Sequence, residues 1–355
     1  MENYTSKPPF CESVFNTLGQ SGTDQQLYYE QKVVFGNGTD GKNSKSMKGR
    51  AKRKMVTQKL ILSLIDVAKE KGDRERVQYY WNAYHCQNLL TSADGRVFGK
   101  YCKTRCCTIC QSIRKAELVN RYLPILKGWS DTRFVTLTAK AVTEDRLQYW
   151  IRVFKIAFKR TYQRINKRYQ RGKGIKVMGL KSLECNFNPI EKTYNPHFHI
   201  VVPNCEISRE LIIEWQRTWN KKEKLTNAFA QDTRRVNDNE KCLIETMKYG
   251  CKIFTDPTMK KGKGKIEPII YAAAMDNIFS ALKGTRLFDR FGFQIPPKEK
   301  YKSNGEKIIS NSQDWIYDLT VSDWVNPDTG ELLTGYIAPP SLKHLLNFHI
   351  DNKLT

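Results

Sequence analysis

The sequence predicts an α+β protein, and three observations carry the prediction. Short apolar runs at 134–138, 176–187 and 197–202 read as strands. Longer stretches, 144–169 above all, repeat their apolar residues with the helical period. Five of the ten cysteines fall between Cys86 and Cys110, ahead of the strands, and mark a small module of their own.

The elements follow in order. Residues 1–50 are rich in Gly, Asn, Ser, Thr and Lys, and much of this reads as a flexible basic arm. Leu60, Leu64, Val67 and Ala68 predict a helix over Gln58–Ala83. A second helix is predicted over Ile113–Leu126, ending near Gly128. Phe134–Thr138 is a buried strand. Glu144–Tyr169 is a basic helix with Leu147, Trp150, Ile151, Phe154 and Phe158 on one side. Lys176–Phe187 and His197–Val202 are further strands, and the turn-rich link Pro189–Pro196 makes them an antiparallel pair. Ser208 is the predicted cap of a helix carrying Leu211, Ile212, Trp215 and Trp219. Asn239–Phe254 is another helix, 255–268 a Lys/Gly linker, and Ala272–Leu282 a short helix in a mixed C-terminal stretch.

The chain of 355 residues carries a formal net charge of +24, with a pI of about 9.6. Such an excess points first to nucleic acid, because cations displace counterions from phosphates. An anionic membrane is the rival, but no long basic amphipathic helix of the kind that lies on lipid is evident. No apolar run approaches the roughly 18 residues of a membrane span, and residues 1–20 lack the core of a signal peptide. A cytoplasmic location follows as an expectation, and the cysteines then read as free thiols or metal ligands.

Asn195-Pro196-His197-Phe198-His199-Ile200 is the sharpest motif. Residues two apart on a strand share a face, so His197 and His199 project together. Two imidazoles and a carboxylate suit a divalent cation with positions left open for substrate. Glu184 on the neighbouring strand is the candidate third ligand, and Glu191 the weaker alternative.

On the helix predicted from Asn239, Glu245, Tyr249 and Lys252 stand at i, i+4 and i+7, on a different side from Ile244, Met247, Cys251 and Phe254. A phenol so placed can attack a phosphodiester. Lys252 can favour its ionisation, and Glu245 can act as a general base. Cys102, Cys106, Cys107 and Cys110, with Cys86 upstream, suit tetrahedral zinc, ahead of a basic helix with Arg114, Lys115 and Arg121. Arg160, Arg164, Lys167 and Arg168, interleaved with Tyr162 and Tyr169, offer phosphate contacts beside stacking rings. Lys248, beside Tyr249, is a further candidate DNA contact.

Three blocks in this order resemble the plasmid rolling-circle replication initiators, a branch of the His-hydrophobe-His (HUH) endonucleases: Phe134-Val135-Thr136-Leu137-Thr138, Pro196-His197-Phe198-His199-Ile200-Val201, and Glu245-Thr246-Met247-Lys248-Tyr249-Gly250-Cys251-Lys252. The resemblance extends from about Cys86 to Phe293. It implies an antiparallel sheet flanked by helices, Tyr249 as nucleophile, and His197, His199 and Glu184 as ligands of Mn2+ or Mg2+. It also implies Glu245 in the terminating step, where a branch of the family replaces a second tyrosine. Matched position by position, it gives Cys86, Cys102, Cys107 and Cys110 as structural zinc ligands, with Cys106 outside the set and His85 a possible substitute for Cys86. The implied reaction nicks one strand of single-stranded or supercoiled origin DNA, forms a 5′-phosphotyrosine and frees a 3′-hydroxyl for extension, with host helicase and polymerase as partners.

The expected organisation is a basic arm over 1–55, a helical zinc module over 56–128, a nuclease domain over 129–256, and a linker and C-terminal region over 257–355. The rival readings are a transposase or relaxase with the same chemistry, and a zinc-containing DNA-binding regulator that does not cut.

Overall fold

The structure, a computed structural model, describes residues 33–34, 44–93, 96–221, 223–246, 269–295 and 312–353. In chain order the elements are β1 (Val33–Val34), α1 (Ser44–Glu70), α2 (Arg74–Tyr84), β2 (Leu89–Ala93), β3 (Arg96–Gly99) and α3 (Thr108–Lys127). Then come β4 (Arg133–Thr138), α4 (Glu144–Gln170), β5 (Gly179–Asn188), β6 (Thr193–Val202), α5 (Cys205–Trp219), β7 (Asp232–Arg235) and α6 (Asn239–Thr246). The last are β8 (Ile270–Tyr271), α7 (Ala272–Ala281), β9 (Phe288–Phe291), β10 (Gln313–Asp318), β11 (Asp323–Val325), α8 (Pro340–Phe348) and β12 (Ile350–Asp351). The α+β class and the antiparallel sheet are as the sequence implied. Among the described residues no helix is long and apolar enough to cross a membrane.

These residues form two compact units, each assembled from separate segments. The smaller gathers 33–52, 86–101 and 312–337. Its five-stranded sheet has the order β1-β3-β2-β10-β11. Met47, Ala51, Leu90, Val97, Trp315, Tyr317 and Trp324 form its core.

The larger unit gathers 53–85, 102–295 and 338–353. Its main sheet has the order β7-β4-β6-β5-β9, with every pairing antiparallel. Strand alternation divides the central residues between two faces. Val135, Leu137, Leu183, Phe198, Ile200 and Val202 face α4, α5 and α7, through Phe154, Phe158, Leu211, Trp215, Trp219 and Ile278. Phe134, Leu180 and Val201 face the other way and pack on Tyr122 and Leu126 of α3 and on Cys242 and Leu243 of α6.

Several predicted boundaries change for local reasons. The helix predicted over Gln58–Ala83 is two helices. The chain turns at Gly72 (φ +67°), a left-handed conformation that glycine adopts without penalty, and Asp73 accepts from the Arg76 amide to start α2. Helix α1 begins at Ser44, inside the stretch predicted as a flexible arm. Ser208 does not cap α5. Asn204 does, its side chain accepting from the Ile207 amide at 2.9 Å, while the Ser208 hydroxyl donates within the helix to the Cys205 carbonyl. The β5–β6 link is also shorter than predicted, because β6 resumes at Thr193 and includes Pro196. Strand β4 pairs only as far as His197, so Pro196 has no β4 partner on that flank, where a missing N–H costs little. The predicted helix Asn239–Phe254 is described only as far as Thr246, and the linker at 255–268 lies outside the described residues.

Candidate metal centre

Antiparallel register builds the site. Glu184 of β5 pairs with His197 of β6, and Ser182 with His199. On the other flank Thr138 pairs with His197 and Thr136 with His199. These side chains share one sheet face with Val201, the residue that packs on α3 and α6. Glu184 Oε2 lies 3.7 Å from His197 Nε2 and 3.5 Å from His199 Nε2. Two donors about 2.1 Å from one ion stand about 3.0–3.4 Å apart at octahedral or tetrahedral angles, so a small contraction lets this set hold a divalent cation. The exposed turn residue Glu191 is not in the group.

The second nitrogen of each imidazole is fixed. His197 Nδ1 donates to the Asn195 carbonyl at 2.9 Å, which turns Nε2 toward Glu184. His199 Nδ1 is 3.2 Å from the Thr136 hydroxyl. Such partners orient ligands and set their tautomers. Thr136→Val, which removes this partner at nearly constant volume, is expected to weaken Mn2+ binding about 10- to 100-fold, read by calorimetric titration of the variant against the parent. Glu184 is 1% exposed. Burial alone would raise its carboxyl, but the two imidazoles facing it more than offset this and hold it at about 2.

A second group in the larger unit combines Cys102, Cys107 and Cys110, whose sulfurs all lie within 4.8 Å of one another, while Cys86 belongs to the smaller unit. Cys102 and Cys110 are 3.6 Å apart, against about 3.8 Å for two thiolates on tetrahedral zinc. Cys107 precedes α3 as its N-terminal cap residue, which brings Cys110 one turn further on. Cys106 is outside the group, and burial pushes its thiol up to about 12. Protein purified without chelator is expected to carry about one zinc per chain, and Cys107→Ser to lose most of it. Metal analysis near zero in the parent would count against the site.

Two of the four cations singled out on α4 are engaged by α5. Arg164 donates to Glu214 at 3.1 Å, and Arg168 to Glu214 and Glu210, each at 2.7 Å. Glu214 is fully buried, so these guanidiniums neutralise a carboxylate of their own unit. Arg160 and Lys167 are exposed. The side chain of Glu245 and the whole of Lys248, Tyr249 and Lys252 lie outside the described residues, although helix α6, which includes the Glu245 backbone, packs on the histidine-bearing face.

Sequence reasoning passed over Thr136, the Asn195 carbonyl, Phe134 and Arg234. The Phe134 ring centroid is 4.9 Å from that of His199. The Arg234 guanidinium lies 4.7 Å above Phe134, from the exposed edge strand β7. The alternation Phe134, Thr136, Thr138 opposite the two histidines was the available signal for the first of these.

Fold and site together define an α+β protein with a carboxylate–imidazole–imidazole group that could hold a metal ion and a separate cysteine group that could hold another. Residues 97–315 match the model of the family described as Replication protein. The match covers well over half of the chain, and the chain belongs to that family. The resemblance to replication initiators carried by the three sequence blocks is borne out at that level. The chain is similar to "Protein rep" of a Bacillus species, 29% identical over 153 residues, covering 40% of this chain and 47% of that one. It is also similar to "Protein rep" of Bacillus amyloliquefaciens, 28% identical over 156 residues, 40% and 43% of the two chains. The protein of the same name from Streptococcus pneumoniae serotype 2 is 26% identical over 236 residues, 59% and 70% of the two. The chain thus spans less than half the length of the two Bacillus relatives. No solved structure matches it.

Proposed function

We propose that this protein initiates rolling-circle replication of a plasmid as an HUH endonuclease, nicking one strand at the origin. Tyr249 is its nucleophile and Glu184, His197 and His199 hold its Mn2+ or Mg2+. The observation that carries the reading is the placement of these three ligands on the sheet face where α6 packs, since α6 runs in sequence toward Tyr249. Family membership supplies the context of replication.

When bound, the cation supplies Lewis acidity to the phosphate under attack. The chain's own residues carry the remaining steps. The Tyr249 phenol gives up its proton to water with electrostatic help from Lys252, and its oxygen bonds to phosphorus as the P–O3′ bond breaks and O3′ takes up a proton from water. The product is a 5′-phosphotyrosine and a strand whose 3′-hydroxyl a host polymerase extends behind a host helicase. At termination Glu245 takes a proton from water or from an attacking 3′-hydroxyl, whose oxygen bonds to phosphorus as the P–O bond to Tyr249 breaks and the Tyr249 oxygen takes up a proton, so the phosphotyrosine is resolved without a second tyrosine. The four cysteines hold a structural zinc, and Arg160, Lys167 and Lys248 meet phosphates in a cytoplasmic setting. Arg164 and Arg168 add positive field from within their ion pairs.

Protein mixed with Mn2+ and supercoiled DNA carrying its gene and flanks, then denatured, is expected to yield nicked circles and a covalent protein–DNA adduct, both lost with EDTA. Tight binding with neither nick nor adduct would overturn the reading in favour of a regulator that binds without cutting.

A further inference from the structure

We propose that Phe229 stacks on an unpaired base of the DNA strand lying at the metal centre, and that Arg234 takes a phosphate of that same strand. The proposal rests on the reading that this centre acts on DNA, and it adds two positioning residues outside the metal cluster and the tyrosine helix.

Phe229 is 100% exposed, in the short 3-10 turn Ala228–Ala230 between α5 and β7. Single exposed apolar residues are common. This one differs because the turn beneath it is rigidly held, and held at the metal face. The Thr138 hydroxyl donates to the Ala230 carbonyl at 3.0 Å. The Gln231 side chain accepts from the Thr138 amide at 2.9 Å and donates to the Thr226 hydroxyl at 2.6 Å. Asn227 caps the turn by accepting from the Ala230 amide at 2.8 Å. The Thr138 carbonyl accepts in addition from Thr226 at 2.9 Å and from the buried Trp215 indole at 2.8 Å. Thr138 is the register partner of His197. It lies two residues from Thr136, which contacts His199, so its hydroxyl is on the ligand-bearing face. The chain therefore anchors, one strand away from His197, an aromatic ring that no described residue covers.

Arg234 stands further along the same edge. It pairs in register with Phe134, over whose ring its guanidinium lies, and that ring is the neighbour of His199. Its neighbours are engaged: Arg235 and Arg133 share Asp131, and Lys241 pairs with Asp238. Among the described residues Arg234 has no carboxylate within ion-pair distance. A ring offering its π-face and a cation in reserve, flanking a divalent-cation site on a chain of net charge +24, match single-stranded nucleic acid. There, aromatic side chains stack on bases while cations track the backbone.

The test uses the full chain and a fluorescein-labelled oligothymidylate, beside an abasic oligonucleotide of equal length. Phe229→Ala is expected to weaken oligothymidylate binding about 5- to 100-fold, to leave abasic binding unchanged, and to be rescued by Phe229→Trp. Arg234→Ala is expected to weaken both ligands and to lower the salt slope of binding by about one. Thermal unfolding should not move for Phe229→Ala, since the ring touches no core. Equal oligothymidylate binding by Phe229→Ala and the parent overturns the proposal. So does a parent that fails to bind either strand, or a parent self-association that Phe229→Ala dissolves, which would make the ring a contact between copies. The assay needs no cleavage. Base-dependent loss in a protein that never forms an adduct would uphold the stacking and sink the nickase, and normal adducts with unchanged binding would do the reverse.

Discussion

Tyr249→Phe is expected to abolish the covalent protein–DNA adduct and to lower nicking of supercoiled origin DNA by about 10⁴-fold or more, the scale on which loss of a covalent nucleophile acts. The change removes one oxygen and keeps the ring. Affinity for the origin should survive, because phosphate contacts from many cations dominate it. Denaturing gels read the adduct, and topoisomer gels read the nick. An adduct that persists in Tyr249→Phe would mean that another residue attacks, and the proposed role of this tyrosine would fall.

His199→Ala is the second large expectation. Of three ligands it removes one whose nitrogen is 3.5 Å from the shared carboxylate oxygen. Loss of a direct ligand should exceed the roughly 10- to 100-fold typical of supporting residues, so Mn2+ binding is expected to fall by at least about 100-fold. Nicking should fall with it and recover in part at high Mn2+. The ring also contacts Phe134, so some loss of stability is expected. Glu184→Gln therefore serves as a second variant: it keeps the volume and removes only the charge. If both variants nicked with the parent's Mn2+ dependence, the cluster would not be the seat of the metal.

Much of this centre was legible because its information is local. His-x-His on a strand fixes two ligands to one face, and the next apolar run upstream carries the only carboxylate of Lys176–Phe187, so Glu184 could be nominated before any geometry was known. Helix α4 was legible for the same reason, since it buries an apolar stripe on its own sheet, whereas α7 is buried on every side from Ala272 to Phe279. What failed was information held by partners. Asp232-Thr233-Arg234-Arg235 has no apolar residue and no strand period, and it is extended because β4 presents an open edge to it. The cations of α4 are plain in the sequence, but the buried Glu214 that occupies Arg164 and Arg168 lies on another helix. Ser208 and Asn204 are equally good cap residues by type, and the cap falls on Asn204. Only the geometry of the first turn, with the Asn204 side chain on the Ile207 amide, decides between them.

The interleaved segments of the smaller unit carry a consequence for synthesis on the ribosome. The strands and helices of the main sheet all lie between residues 108 and 291, so a nascent chain holds that whole layer well before it is complete. Strand β2 must instead wait for β10, whose Trp315 indole bonds to Ser92 from 223 residues away. During that interval the β2–β3 ribbon has one edge bare, and bare edges recruit strands from other chains. Domains released in sequence generally fold as they emerge, so the layer of the main sheet is expected to form first and the smaller sheet to close last. A stalled or truncated product ending before Gln313 keeps every strand of the main sheet and exposes a sticky ribbon, and it is this product that crowded translation would aggregate.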